Sequence, residues 1–107
     1  MQADEYQKKA LTTASRMTED DMVLNGALGL NGEAGEVADH IKKVRFQGHA
    51  MDKAHLADEL GDILWYIAVM SEGLGYTLSE VMEMNVAKLK KRYPNGFEVE
   101  KSINREK

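Results

Sequence analysis

The sequence predicts an all-α protein, and three observations carry that prediction. The 107 residues contain one proline, Pro94, so everything before it is free to be helical. No stretch alternates apolar and polar residues, and the β-branched residues are scattered. Apolar residues instead recur at helical spacing, in runs divided by helix-start and helix-stop signals. The length fits one domain whose modest core is marginal alone, which makes self-association the expectation.

Four helices are expected. The first, about Asp4 to Ser15, carries Tyr6, Ala10 and Leu11 among helix-favouring neighbours. Thr18-Glu19-Asp20-Asp21 then reads as a helix start, with Thr18 as cap and acids in the first turn at the positive end of the dipole. This second helix runs to about Phe46 and stops at Gly48. Its apolar stripe is Val23, Leu30, Val37, Ile41 and Val44, widened by Ala27, Ala34 and Ala38. Glu33, Glu36, His40 and Lys43 line the other margin. Gly26, Gly29, Gly32 and Gly35 recur every three residues, each costing about 1 kcal/mol relative to alanine. Their use is the close approach of another helix or of a ligand.

The third helix, about Lys53 to Glu72, ends at Gly73 or Gly75. Leu56, Leu60, Ile63, Ile67, Met70 and Leu74 form one stripe, and Trp65, Ala68 and Val69 lie on the far side. A helix apolar on two faces is central, covered by its own chain on one side and by a second subunit on the other. Thr77-Leu78-Ser79-Glu80 is a capping box that opens a fourth helix, closed by Pro94-Asn95-Gly96, with Leu78, Val81, Met82, Val86 and Leu89 facing the core. The helical domain is expected over residues 1–97. The polar segment 98–107 is expected to be a disordered or loosely packed tail.

Composition narrows the partners. A formal net charge of −4 argues against a nucleic-acid backbone or an anionic membrane surface. Cysteine is absent, which excludes disulfides, thiolate metal sites and cysteine nucleophiles. The first residues lack a basic region followed by an apolar one, and no apolar run approaches the roughly 20 residues of a membrane span. The expectation is a soluble cytoplasmic protein acting on a small ligand or a protein partner.

The chemistry concentrates in two acidic pairs, Glu33-Ala34-Gly35-Glu36 and Glu59-Leu60-Gly61-Asp62. Each puts two carboxylates three residues apart on one helix face, where like charges repel. Beside an apolar core they cost several kcal/mol unless a cation sits between them. With oxygen donors only, that cation is a hard ion, Mg²⁺ or Mn²⁺, and such ions usually bring phosphates. Asn85, Lys88 and Arg92 run along the edge of the fourth helix, a donor and two cations able to hold phosphate oxygens.

Other chemistries drop out. Bundle sites for iron or zinc typically use Glu-x-x-His, but Val37, Phe46 and Asp52 precede His40, His49 and His55 by three. There is no phosphate-binding loop, no dinucleotide fingerprint and no nucleophile elbow. Phosphoanhydride hydrolysis fits the remainder: a metal offsets phosphate charge, a carboxylate orients or deprotonates water, and a cation stabilises the departing group.

Gly29-Leu30-Asn31-Gly32-Glu33-Ala34-Gly35-Glu36-Val37, Glu59-Leu60-Gly61-Asp62-Ile63-Leu64-Trp65-Tyr66, Asn85-Val86-Ala87-Lys88-Leu89 and Lys91-Arg92-Tyr93-Pro94 together resemble the MazG-like nucleoside triphosphate pyrophosphohydrolases. The likeness covers nearly the whole chain, including Glu5-Tyr6-Gln7-Lys8-Lys9-Ala10. It implies a four-helix-bundle-type MazG-like fold whose core is completed in a homodimer or homotetramer. It also implies Mg²⁺-dependent cleavage between the α and β phosphates of a nucleoside triphosphate, giving a monophosphate and pyrophosphate. By position, Glu33, Glu36, Glu59 and Asp62 would be the metal ligands and catalytic acids. Lys88 and Arg92 would hold phosphates, Asn85 and Tyr66 would contact ligand, and Lys43 is a weaker candidate. Gly32 departs from the family's Glu-Glu-x-x-Glu, replacing its first acid.

The rival reading is a helical interaction module with solvated acids, and Gly32 keeps a catalytically silent homologue in view. The preferred base is open, with Gln7 and Trp65 as candidates to frame it.

Overall fold

In the computed structural model, which describes residues 1–105, the helices follow in the order α1 (Ala3–Leu11), α2 (Glu19–Phe46), α3 (Lys53–Gly73), α4 (Leu78–Arg92) and α5 (Val99–Ile103). No strand occurs among the described residues, so the fold is all-α as expected.

The start signals work as the sequence implies. Thr18 accepts the Asp21 N–H at 3.1 Å and opens α2. At α4, Thr77 Oγ1 accepts Glu80 N–H while Glu80 Oε1 accepts Thr77 N–H, closing the capping box. Asp52 caps α3 by accepting His55 N–H at 2.9 Å, and His40 Nε2 in turn accepts Asp52 N–H at 3.0 Å. His40 thereby ties the α2–α3 connection to the body of α2, and with it the start of the helix that carries Glu59 and Asp62.

Helix α1 stops at Leu11, short of the expected Ser15. Thr12 and Thr13 turn their hydroxyls back onto the carbonyls of Lys9 and Ala10, a local bond that competes with helix. Within the segment expected to be disordered or loosely packed, residues 99–103 form a short helix with none of its residues buried, and residues 106–107 lie outside the described residues.

The core forms where α1 crosses α3 and the start of α4. Ala10, Ala68 and Leu78 are buried together, with Ala3, Tyr6, Trp65 and Ile67 packed against them. Gln7 lies inside this junction, 4% exposed. Its amide donates to the Ala68 and Tyr76 carbonyls, and its oxygen accepts Leu78 N–H at 2.9 Å. Asp4 adds a second staple by accepting from Ser79 N–H and Ser79 Oγ, and those bonds hold its carboxyl below the usual carboxylate range. Trp65 Nε1 donates to the Ala10 carbonyl and to Thr13 Oγ1. Gln7 and Trp65 are therefore structural, and neither amide nor indole N–H is left to read a base.

Helices α2 and α3 pack along their length, and two of the four spaced glycines permit it. A Cβ on Gly26 would stand 2.6 Å from Met70 Cβ, and one on Gly29 would overlap the Tyr66 ring. Gly32 and Gly35 face open space.

Much apolar surface is left uncovered. Leu60 and Leu74, assigned from sequence to the α3 core stripe, are 60% and 54% exposed. On α4 only Leu78 is buried, while Met82, Val86 and Leu89 of the same face lie open. The accessible surface is 8021 Å², against about 6,000 Å² for a monomer of this mass. The radius of gyration is 16.7 Å, against about 13 Å for a compact chain of this length.

Candidate metal centre

The α2–α3 pairing positions the acids. Glu33 on α2 lies on the side of the helix that α3 crosses, one turn beyond Gly29, and α3 contributes Glu59 and Asp62 from successive turns. One carboxylate oxygen from each of Glu33, Glu59 and Asp62 lies within 4.8 Å of the other two. Glu59 is buried, Glu33 half-buried and Asp62 exposed, so the cluster opens to solvent on the Asp62 side. Glu36 does not join them and is exposed.

The electrostatics of the group call for a positive charge. Glu59 Oε2 is buried with no hydrogen-bond partner among the described residues, a costly state for a carboxylate oxygen. The Glu59 carboxyl, close enough to share a proton with Glu33, pushes the Glu33 carboxyl above its usual range, and burial and the charges of Glu59 and Asp58 act the same way. Without a cation, Glu33 therefore holds its proton to a higher pH than a free glutamate would. A divalent ion would displace that proton and satisfy the orphaned oxygen. Three carboxylates from two helices, a group that contains no sulfur or imidazole of its own although His55 borders Glu59, suit an oxygen-preferring ion that keeps part of its water shell.

Three neighbours escaped the sequence reading. His55 Nε2 stands 3.8 Å from Glu59 Oε1, and the i, i+4 spacing on α3 was the available signal. Asp58 adds negative charge beside Glu33. Tyr6, read from sequence as an apolar residue of the first helix, lies near enough to Asp62 that the carboxylate adds to burial in raising its phenol. No sequence pattern linked α1 to that acid.

The remaining candidates are more scattered. Lys43 pairs with Asp39 at 2.8 Å on its own helix, and that bond, with the Glu36 charge behind it, raises its ammonium. Tyr66 follows Asp62 by one turn, seated on Gly29 and edge-on to Trp65 at 5.1 Å. Asn85 and Lys88 lie exposed on α4, and Arg92 is half-buried at its end. Among the described residues no ion pair joins Lys88 or Arg92 to the three clustered acids.

Comparison with known proteins gives a family match. Residues 24–97, which hold all four acids and the α4 row, match the family described as the MazG nucleotide pyrophosphohydrolase domain. The chain is 37% identical over 73 residues to the Gene 37 protein of Mycobacterium phage L5. That match covers 64% of this chain and 64% of the phage protein, less than two thirds of the relative's length. No solved structure matches the chain.

Proposed function

The chain belongs to the MazG nucleotide pyrophosphohydrolase domain family, and from that premise we propose that it hydrolyses a nucleoside triphosphate between the α and β phosphates with the help of Mg²⁺, for which Mn²⁺ could substitute. The observation that carries the reading is the convergence of carboxylate oxygens from Glu33, Glu59 and Asp62, together with a buried Glu59 oxygen that has no partner among the described residues.

In this reading Glu33, Glu59 and Asp62 hold the ion, with Glu59 as the buried anchor and Asp62 at the open side. When bound, the ion offsets phosphate charge and aligns the anhydride. Glu36, exposed one turn beyond Glu33 and outside the clustered acids, would act at the centre through a water that it orients. That water adds to the α phosphorus, the bond to the bridging oxygen breaks, and its proton passes to a carboxylate. The products are a nucleoside monophosphate and pyrophosphate. Lys88 and Arg92 stabilise the departing pyrophosphate, Asn85 and Tyr66 contact the nucleotide, and Lys43 stays a weaker candidate because Asp39 already engages it.

The surface supports a homodimer or homotetramer. Its excess of about 2,000 Å² over a compact monomer exceeds the roughly 800 Å² that a standard interface removes from each partner and is of the order that a large obligate homodimer interface removes from one subunit. Leu60, Leu74, Met82, Val86 and Leu89 supply the apolar residues for it. Among the described residues no helix is long and apolar enough to cross a membrane.

The test is Mg²⁺-dependent release of pyrophosphate from a panel of nucleoside triphosphates. Glu59→Gln and Asp62→Asn should each abolish release while leaving the helical content intact. Turnover retained in both variants refutes the site. An interaction module would show no Mg²⁺-coupled binding of a non-hydrolysable triphosphate in calorimetry.

A further inference from the structure

Charge is laid out unevenly along this chain. The net charge is −4, yet residues 88–105 carry Lys88, Lys90, Lys91, Arg92, Lys101 and Arg105 against only Glu98 and Glu100. Cations in the last turn of α4 answer the negative end of that helix. The helix dipole does not account for the cations beyond that turn. The chain reverses at Tyr93–Phe97, where Gly96 takes a φ of 88° and the Tyr93 and Phe97 rings pack at 5.2 Å. Helix α5 then brings Lys101, Asn104 and Arg105 to Arg92 and Lys91, around a cavity of about 160 Å³ with no carboxylate among its described lining residues; Lys91 is already engaged by a partner of its own.

Bringing like charges together costs energy unless something negative joins them. The interior of the group shows the same need. Arg92 Nε is buried without a hydrogen-bond partner among the described residues, an expensive omission for a charged donor. The cavity holds the equivalent of roughly five waters. Its donors are a guanidinium fork from Arg92, a second from Arg105, the Lys101 ammonium and the Asn104 amide. A carboxylate offers too few oxygens for that set, whereas a phosphoryl group offers three or four in a tetrahedral array.

We propose that the α4–α5 junction is a binding pocket for a phosphate-class anion, with Arg92 as its floor and Lys101, Asn104 and Arg105 as its wall. The wall lies beyond residues 24–97, the segment that matches the family. The site rests on its own geometry and does not require the acidic centre to be catalytic, although Arg92 serves both readings. Two sources offer this chemistry: the terminal phosphates of a nucleotide, or free pyrophosphate.

The test is calorimetric titration of the full-length protein with inorganic pyrophosphate in metal-free buffer at low ionic strength. Wild-type protein is expected to bind, and Lys101→Ala/Arg105→Ala to bind at least tenfold more weakly. Lys101→Arg is expected to retain affinity, and Glu59→Gln, which disables the acidic centre, to leave it unchanged. Because α5 buries none of its residues, helical content should survive the double change, and Lys101→Gln gives a milder second variant. Absence of binding by the wild type, or equal binding by the double variant, overturns the pocket. A non-hydrolysable triphosphate with Mg²⁺ separates the sources. Competition with pyrophosphate assigns the pocket to the nucleotide's own tail, and independent binding assigns it to the free anion.

Discussion

The ring of Tyr66 occupies the space in which a side chain on Gly29 would stand. This contact, repeated along α3 where Met70 meets Gly26, sets how near α2 comes to α3 and hence how near Glu33 comes to Glu59. The glycines should respond to alanine according to what they face. At Gly26 a Cβ would stand 3.1 Å from the Tyr66 carbonyl oxygen and 3.2 Å from Met70 Cα, backbone that cannot swing aside. Gly26→Ala should destabilise by about 1–3 kcal/mol even after the gain in helix propensity. Gly29→Ala meets a ring that can rotate away, so it should cost less stability and more activity. Gly35→Ala meets nothing within 4 Å and should stabilise by up to about 1 kcal/mol. Chemical denaturation at fixed protein concentration ranks the three.

The buried Gln7 amide leads to a second prediction. It satisfies two carbonyls and one N–H at the place where α1, α3 and the start of α4 meet. Gln7→Met keeps the volume and removes every bond. With each stranded backbone group costing about 1–3 kcal/mol, a loss of about 2–4 kcal/mol is expected. In a domain of this size that is a fall of roughly 10 °C or more in Tm. An unchanged Tm would show that solvent replaces the amide, and that the junction is looser than its 4% exposure implies.

How the sequence foretold these features depends on the range of the interaction involved. Local chemistry was legible: the Thr18 cap, the capping box at Thr77 and Glu80, and the helix class itself depend on residues three or four apart. Both acidic pairs stood out because their spacing is also local. Gln7 was misread because its three partners lie more than sixty residues away, and an amide in an amphipathic helix carries no sign of that destination. The glycine ladder was half legible. Its purpose was clear, but only packing decides that Gly26 and Gly29 meet α3 while Gly32 and Gly35 face outward. Leu60 and the open face of α4 read as core because helical spacing of apolar residues signals a face without saying whether the chain itself covers it.

The acids of the candidate centre should differ in their hold on the ion. Glu59 is buried with an orphaned oxygen, one carboxylate oxygen of Asp62 lies within 4.8 Å of one of Glu59, and Glu36 stands apart. Glu59→Gln and Asp62→Asn should each weaken Mg²⁺ binding by about tenfold or more, as loss of a charge-assisted contact implies. Glu36→Gln should weaken it by only about threefold in the absence of nucleotide, because water can replace an outlying ligand. Thermal shift against Mg²⁺ concentration measures all three. Equal losses at Glu36 and Glu59 would mean that Glu36 moves into the inner group when the ion binds.

Acidity gives the last prediction, and its sign is set by Glu33. Glu59 and the surrounding negative charge raise the Glu33 pKa in the folded protein above its ordinary value of 4.5. The folded state therefore holds a proton that the unfolded chain has already released, and metal-free protein loses stability as pH rises from the ordinary value through the raised one. Asp4 and Asp39, whose pKa values are lowered, act in the opposite sense and lose their stabilisation as pH falls. The Glu33 contribution is isolated by comparing wild type with Glu33→Gln, which retains a hydrogen-bond donor at any pH. In metal-free buffer the advantage of Glu33→Gln in Tm should be small below pH 4.5 and grow toward neutrality. Mg²⁺ should reverse the order at neutral pH, because the ionised Glu33 then has a cation to hold and the amide is a poorer ligand. A difference between the two proteins that stays constant with pH, with and without Mg²⁺, would mean that Glu33 titrates like an ordinary surface acid and takes no part in the centre.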